Sequence, residues 1–335
     1  METVTRVHAR NLVAWAEDKP TVLVLSADLT GSTEIDLFRD TYPERFFSMG
    51  MAEQNMLSFA GGLAREGLYP FVHTFAVFIY RRAYDQIADS IAYPRLPVRL
   101  FGFLPGVTTP GGATHQAIED IAVMRSLPNL TVVEVGDATD VETLLDPVQA
   151  VDGPVYVRML RGEIPRLFPA DEPLQLGRAR RLHGGTDITL LSSGICTEEA
   201  LRAASALADR GVSIEHLHVS TLKPFDDDSV AEAVAKPRYG VITMENHTVL
   251  GGLGTATAEL MATLGVGKPL VRIGIQDEFL HGASRPYLMR EYGLDAISLV
   301  RAVEALVKQD LAIGETDLLA VRLEEVHSAA KAEAL

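Results

Sequence analysis

The chain has 335 residues, 47% of them hydrophobic and 22% charged, with a formal net charge of −15 and a pI near 5.0. This is the composition of an ordinary globular protein, long enough for two domains. The acidic charge argues against nucleic acid and anionic membrane as main partners, and the sequence shows neither an apolar run of about 18 residues nor a signal-peptide core in its opening Met-Glu-Thr-Val-Thr-Arg.

In chain order, strands and helices alternate. An amphipathic helix is expected over roughly residues 4–17, followed by the buried strand Thr-Val-Leu-Val-Leu-Ser over 21–26. From Glu53 to Arg65, the residues Met56, Leu57, Phe59, Ala60, Leu63 and Ala64 fall at helical spacing. A short strand near 70–73, a helix over about 76–92 and a strand over 98–102 come next. The Gly-, Pro- and Thr-rich stretch 103–114 reads as a loop, with a helix beginning near Gln116. A strand over 130–135, a helix over 139–149 and a strand over 154–158 complete the first block.

A second block follows the stretch holding Pro165, Pro169 and Pro173. It has strands over 187–191, 212–219, 239–244 and 270–275, and helices over 197–210, from about Pro224, and over 252–264, 284–292 and 295–308. Leu318, Leu319, Val321, Leu323 and Val326 are spaced for one more helix. Such alternation predicts an α/β protein of two doubly wound, mostly parallel sheet domains. We place the domains at residues 1–168 and 185–335, joined by a linker over 169–184.

Several tracts carry chemistry. Glu53 opens the helix that follows Ser48-Met49-Gly50-Met51-Ala52, where first-turn N–H groups favour an anion. A capping acid is the simplest account of it. Thr74-Phe75-Ala76-Val77-Phe78 and Gly112-Ala113-Thr114-His115-Gln116 follow. Phe75 and Phe78 share a face at helical pitch, as core aromatics also would. Taken together and in this order, the three tracts resemble the pyrimidine-binding domain of transketolase-like thiamine diphosphate enzymes.

The resemblance implies a role for each tract. Such enzymes form a carbanion on the thiazolium ring, helped by the aminopyrimidine. The glutamate matched by Glu53 favours the imino tautomer by sharing a proton with the ring nitrogen. Phe75 and Phe78 match aromatics that pack on the aminopyrimidine, and His115 matches a histidine that contacts the donor sugar and handles protons. Ser26-Ala27-Asp28-Leu29-Thr30-Gly31-Ser32 resembles a tract in which Asp28 and Leu29 line the cofactor pocket and Ser32 reaches substrate phosphate. Arg10 and Arg161 match arginines that grip that phosphate with a two-pronged donor.

The loop Phe103-Leu104-Pro105-Gly106-Val107-Thr108-Thr109-Pro110-Gly111-Gly112 departs from the pattern. It lacks the histidine and aspartate that bind sugar hydroxyls in transketolases, which predicts a non-standard donor or acceptor. His73 stands where the family has a small residue, as a candidate substitute contact or as a structural histidine.

The family's Gly-Asp-Gly tract, which with a later asparagine holds the diphosphate and its divalent metal, is absent. The resemblance therefore implies the C-terminal-half (beta) subunit of a split transketolase that moves a two-carbon ketol unit from a phosphorylated ketose to an aldehyde. A separate N-terminal-half subunit would carry the diphosphate with Mg2+ or Ca2+, in a heterotetramer of two plus two chains. Three alternatives stay open: a 1-deoxyxylulose-5-phosphate synthase-like subunit, a 2-oxoacid dehydrogenase beta-type subunit, and a non-catalytic partner.

Three competing signals are weaker. Cys196, the one cysteine, excludes an internal disulfide, fits a reducing cytoplasm and reads as a buried side chain or a reactive thiol. Gly251-Gly252-Leu253-Gly254 resembles a dinucleotide turn but lacks its third glycine and ribose-binding acid. His216 and His218 share one face of a strand, without a third metal ligand nearby in sequence.

Overall fold

Runs such as Val22–Ser26 and Ile188–Ser192 carry no inward–outward alternation, and every residue in them is buried. Strands of this kind belong to parallel sheets covered by helices on both faces. The structure, a computed structural model, describes residues 2–321. Seven strands form the first sheet, in the spatial order Thr221–Lys223, Thr131–Glu134, Val155–Met159, Arg99–Phe103, Tyr69–Phe75, Val22–Ser26 and Phe46–Ser48. All run parallel except the first. A second sheet orders Leu270–Ile275, Gly240–Thr248, Ile188–Ser192, Ile214–His218 and Arg180–His183, with only the last antiparallel. The expected fold class, two doubly wound and mostly parallel sheets, is the one observed.

The two halves are sewn together more tightly than a linker implies. Within the stretch expected as linker, Arg180–His183 is the edge strand of the second sheet. Thr221–Lys223, from the second half, pairs with Thr131–Glu134 on the edge of the first.

Local differences from the sequence reading have physical causes. The first helix starts at Val7, not near residue 4, because Thr3–Thr5 pairs with Glu163–Pro165. The helix expected over 139–149 divides into Ala138–Thr143 and Leu145–Gln149. Pro147 lacks an N–H, and its ring would collide with the Thr143 carbonyl in a continuous helix. The final helix is described over Glu315–Ala320; Leu323 and Val326 lie outside the described residues.

The competing motifs find structural uses. A Cβ on Gly252 would lie 1.9 Å from Glu245 Oε2, and one on Gly251 2.4 Å from the Ala122 side chain. Glu245 accepts the backbone N–H groups of Leu253 at 2.7 Å and Gly254 at 2.8 Å. The helix start that would face a pyrophosphate is thus already taken by a buried carboxylate. His216 bonds the Ser192 hydroxyl at 2.8 Å and His218 the Thr197 hydroxyl at 2.7 Å, so the two serve separate partners. Cys196 is fully buried, and burial pushes its thiol up, away from the reactive thiolate.

Burial also pushes Glu245 up to about 7 from its ordinary 4.5. A carboxyl held this way binds its proton more tightly in the folded than in the unfolded chain. Stability from this group is therefore full below about pH 4.5 and declines as pH rises to about 7. Glu245→Gln should flatten that decline, by on the order of 3 kcal/mol across the window, as read from urea-unfolding midpoints of both proteins at several pH values.

Candidate active site

The register of the first sheet gathers the chemistry-bearing tracts at one edge. Ser26 pairs with both Ser48 and His73, and His73 pairs with Phe101. The segments leaving the carboxyl ends of these strands carry Asp28 and Leu29, then Glu53, then Phe75, then the 104–115 loop. Ligands of open α/β sheets bind at this edge.

Glu53 is the first residue of the helix Glu53–Arg65 and is buried, although no side chain caps that helix. The apolar stripe beneath it seats Met56, Leu57, Ala60 and Ala64, whereas Phe59, expected on the stripe, is exposed. Arg82 Nη1 donates to Glu53 Oε1 at 2.7 Å, and the same guanidinium lies 4.0 Å over the Phe78 ring. Phe75 ends its strand in extended geometry, and Phe78 sits in the first turn of the helix Ala76–Gln86. Their rings are offset-stacked, 5.7 Å apart at 26°. His115 meets Phe78 edge-on at 5.4 Å and bonds the Thr114 hydroxyl at 2.8 Å. Acid, aromatic pair and histidine thus form one cluster.

The remaining sequence candidates stand around it. Asp28 is exposed, with a left-handed φ of 61° at the strand end, and the Leu29 N–H donates to the Ser26 hydroxyl at 3.2 Å. Arg161 Nη1 donates to the Ser32 carbonyl at 3.1 Å, which joins those two candidates. Arg10 is exposed on the helix Val7–Trp15.

His73 is a correction. It is fully buried, stacked 4.7 Å from Phe101, with Nε2 3.0 Å from His8 Nε2. The Phe71 carbonyl 3.1 Å from Nδ1 can only accept, so Nδ1 carries the proton and His8 donates to Nε2. Burial holds both rings well below the ordinary range, His8 at about 3, and both are neutral. This histidine is a core residue, the structural of the two readings the sequence offered.

The altered loop also takes a structural explanation. Val107 and Ile118 belong to the hydrophobic core of the second half. Asn246 of the second sheet accepts from the Val107 N–H at 2.9 Å and donates to the Pro105 carbonyl at 3.0 Å. A Cβ on Gly106 would lie 2.1 Å from Asn246 Oδ1, which fixes glycine there. The Gln116 amide donates to the carbonyls of Thr109 and His281, so the following helix begins at Asp120 rather than near Gln116. Within the loop, Val107 is thus a peg in the second core, while Phe103 and Leu104 belong to the first.

Sequence reading missed Arg82, whose signal was its place four residues after Phe78 on one helix face, and Asn246, which had no local signal.

Residues 3–166 match the transketolase pyrimidine-binding domain and residues 177–299 the transketolase C-terminal domain. The chain belongs to the transketolase family. It is 38% identical over 299 residues to the 6-deoxy-6-sulfo-D-fructose transketolase subunit SqwH of Clostridium sp. (strain MSTE9), covering 89% of this chain and 92% of that one. A solved structure of a split gene transketolase, an inactive beta4 tetramer, superposes with a TM-score of 0.81 at 38% identity, over 90% of this chain and 97% of that one. The 1-deoxy-D-xylulose-5-phosphate synthase of Syntrophotalea carbinolica is 32% identical over 308 residues, covering 91% of this chain but only 48% of the synthase. The chain is of the split transketolase C-terminal-section type, and its family implies thiamine diphosphate as cofactor. Among the described residues no helix is long and apolar enough to cross a membrane.

Asn246→Ala would strand the Val107 N–H and the Pro105 carbonyl in the interior. The expected loss is about 2–4 kcal/mol of stability, read from the urea midpoint. A variant as stable as the parent would show that the loop holds without this bond.

Proposed function

We propose that this chain is the pyrimidine-side subunit of a two-chain transketolase, which moves a two-carbon ketol unit from an anionic ketose to an aldehyde. The observation that carries this reading is the buried Glu53 carboxylate, set at a helix start beside Phe75, Phe78 and His115 on the carboxyl edge of a parallel sheet. An acid at the rim of stacked aromatic rings suits a flat, weakly basic heterocycle such as an aminopyrimidine.

When bound, thiamine diphosphate supplies the nucleophilic carbon and the electron sink for carbon–carbon cleavage. Each residue of this chain has a part. Glu53 shares a proton with the pyrimidine ring nitrogen. Phe75 and Phe78 stack against the ring and exclude water, with Asp28 and Leu29 completing the pocket. His115 faces the donor sugar and passes protons to its oxygens. Ser32, Arg10 and Arg161 take the anionic end of the donor, and a guanidinium accepts a phosphate or a sulfonate by the same paired N–H groups.

The diphosphate and its Mg2+ or Ca2+ belong, on this reading, to an N-terminal-half partner. The matched domains and the half-length coverage of the single-chain synthase support that division. The related split gene transketolase, solved as an inactive beta4 tetramer, supports a chain inactive without its partner, in an active assembly of two plus two. The synthase likeness favours a second reading, pyruvate-consuming acyloin formation.

The test mixes this chain with a Gly-Asp-Gly-bearing partner, thiamine diphosphate, magnesium and an aldehyde. The donor is D-fructose 6-phosphate, 6-deoxy-6-sulfo-D-fructose or pyruvate. Ketol transfer from a sugar, with none from the chain alone, is the expected result; pyruvate consumption instead establishes the second reading. Glu53→Gln should fold normally and lower turnover of the assembly at least about a hundredfold, and near-normal turnover would remove Glu53 from the chemistry.

A further inference from the structure

Glu53 is only 3% exposed, and Arg82 is its single charged partner among the described residues. No other described side chain hydrogen-bonds it, and Arg82 touches Oε1 alone. Arg82, half-exposed itself, has a second contact: its guanidinium carbon lies 4.0 Å from the centre of the Phe78 ring, one helical turn away. The backbone leaves helical geometry at the next residue, Ala83, where φ is −130°.

We propose that Arg82 is the positioning residue of the cofactor site: it clamps one oxygen of Glu53 and so presents the other to the pyrimidine ring nitrogen. A glutamate at a helix start has three rotatable side-chain bonds, and a buried carboxylate without a partner is costly. A planar guanidinium resting on an aromatic ring removes both problems, because its N–H groups are held in a fixed plane. Phe78 then has two tasks, as platform for the clamp and as wall for the ring. A lysine keeps the charge but neither the plane nor the stack. The inference rests on the reading that Glu53 meets an aminopyrimidine.

Two measurements test it. In the chain alone, unfolding midpoints of Glu53→Gln, Arg82→Gln and the double variant form a cycle. The effects should be non-additive, since Arg82→Gln strands the buried Glu53 carboxylate, whereas Glu53→Gln only releases a half-exposed guanidinium. In the assembled enzyme, Arg82→Gln should lower kcat about tenfold with the KM for donor sugar unchanged. It should also weaken thiamine diphosphate binding and diminish the circular-dichroism band of the imino tautomer, with Arg82→Lys recovering part of each. An additive cycle, or wild-type kcat in Arg82→Gln, overturns the proposal. So does tighter cofactor binding in that variant, which would make the guanidinium a competitor for the ring's place. An inactive Glu53→Gln with a fully active Arg82→Gln overturns this inference alone; an active Glu53→Gln overturns the functional reading with it.

Discussion

A single buried guanidinium ties the molecule together. Arg158, fully buried at the end of a central strand, donates to both oxygens of Asp120, at 2.8 Å and 3.1 Å, and to Glu134 on the adjoining strand. Nη2, which makes the longer Asp120 contact, also lies 3.0 Å from each of the carbonyls of Ala117 and Asn246. Tyr156 adds a bond to Asp120 at 2.6 Å. Two buried carboxylates around one cation would be ruinous unpaired, and removal of one partner from such a group typically costs about 3–5 kcal/mol. Paired, they fix three things at once: the segment following His115, the sheet edge that receives Thr221–Lys223, and the strand of the second half that carries Asn246.

That constraint explains how His115, on a loop, is held beside Glu53, Phe75 and Phe78, which sit at the ends of regular elements. Loops are mobile by default and need a rigid frame to hold chemistry. Here the frame is the parallel register, which brings the ends of four neighbouring strands to one edge. The buried network then pins the longest of the loops that leave it.

Sequence pattern made the strands and the Glu53–Arg65 helix legible, because continuous apolar runs and a 3.6-residue period are local properties. The resemblance supplied roles for Glu53, Phe75, Phe78 and His115, and the structure brings these four together. What stayed illegible was non-local. His73 read equally as a substitute substrate contact or a structural histidine, until the sheet placed it against His8, a residue 65 positions earlier. The 103–112 loop read only as one lacking sugar contacts, until the second core closed over its Val107. The start of the helix at Asp120 depends on Gln116 bonding His281, 165 residues downstream. No period within the loop encodes such partners.

The second half is therefore more than an appendage to the pyrimidine-side cluster. His115 lies between two anchors that belong to it: Asn246, which holds the loop before the histidine, and the His281 carbonyl, which holds the residue after. The core that takes in Val107 and Ile118 immobilises the same loop by packing. A histidine that meets the Phe78 ring edge-on must be placed to within about half an ångström to be useful in chemistry. The anchors available for such placement are groups more than a hundred residues away in sequence, the Asn246 side chain and the His281 carbonyl. The separation of the two halves in the chain thus conceals a single mechanical unit, in which one half presents the candidate site residues and the other holds the loop that carries His115.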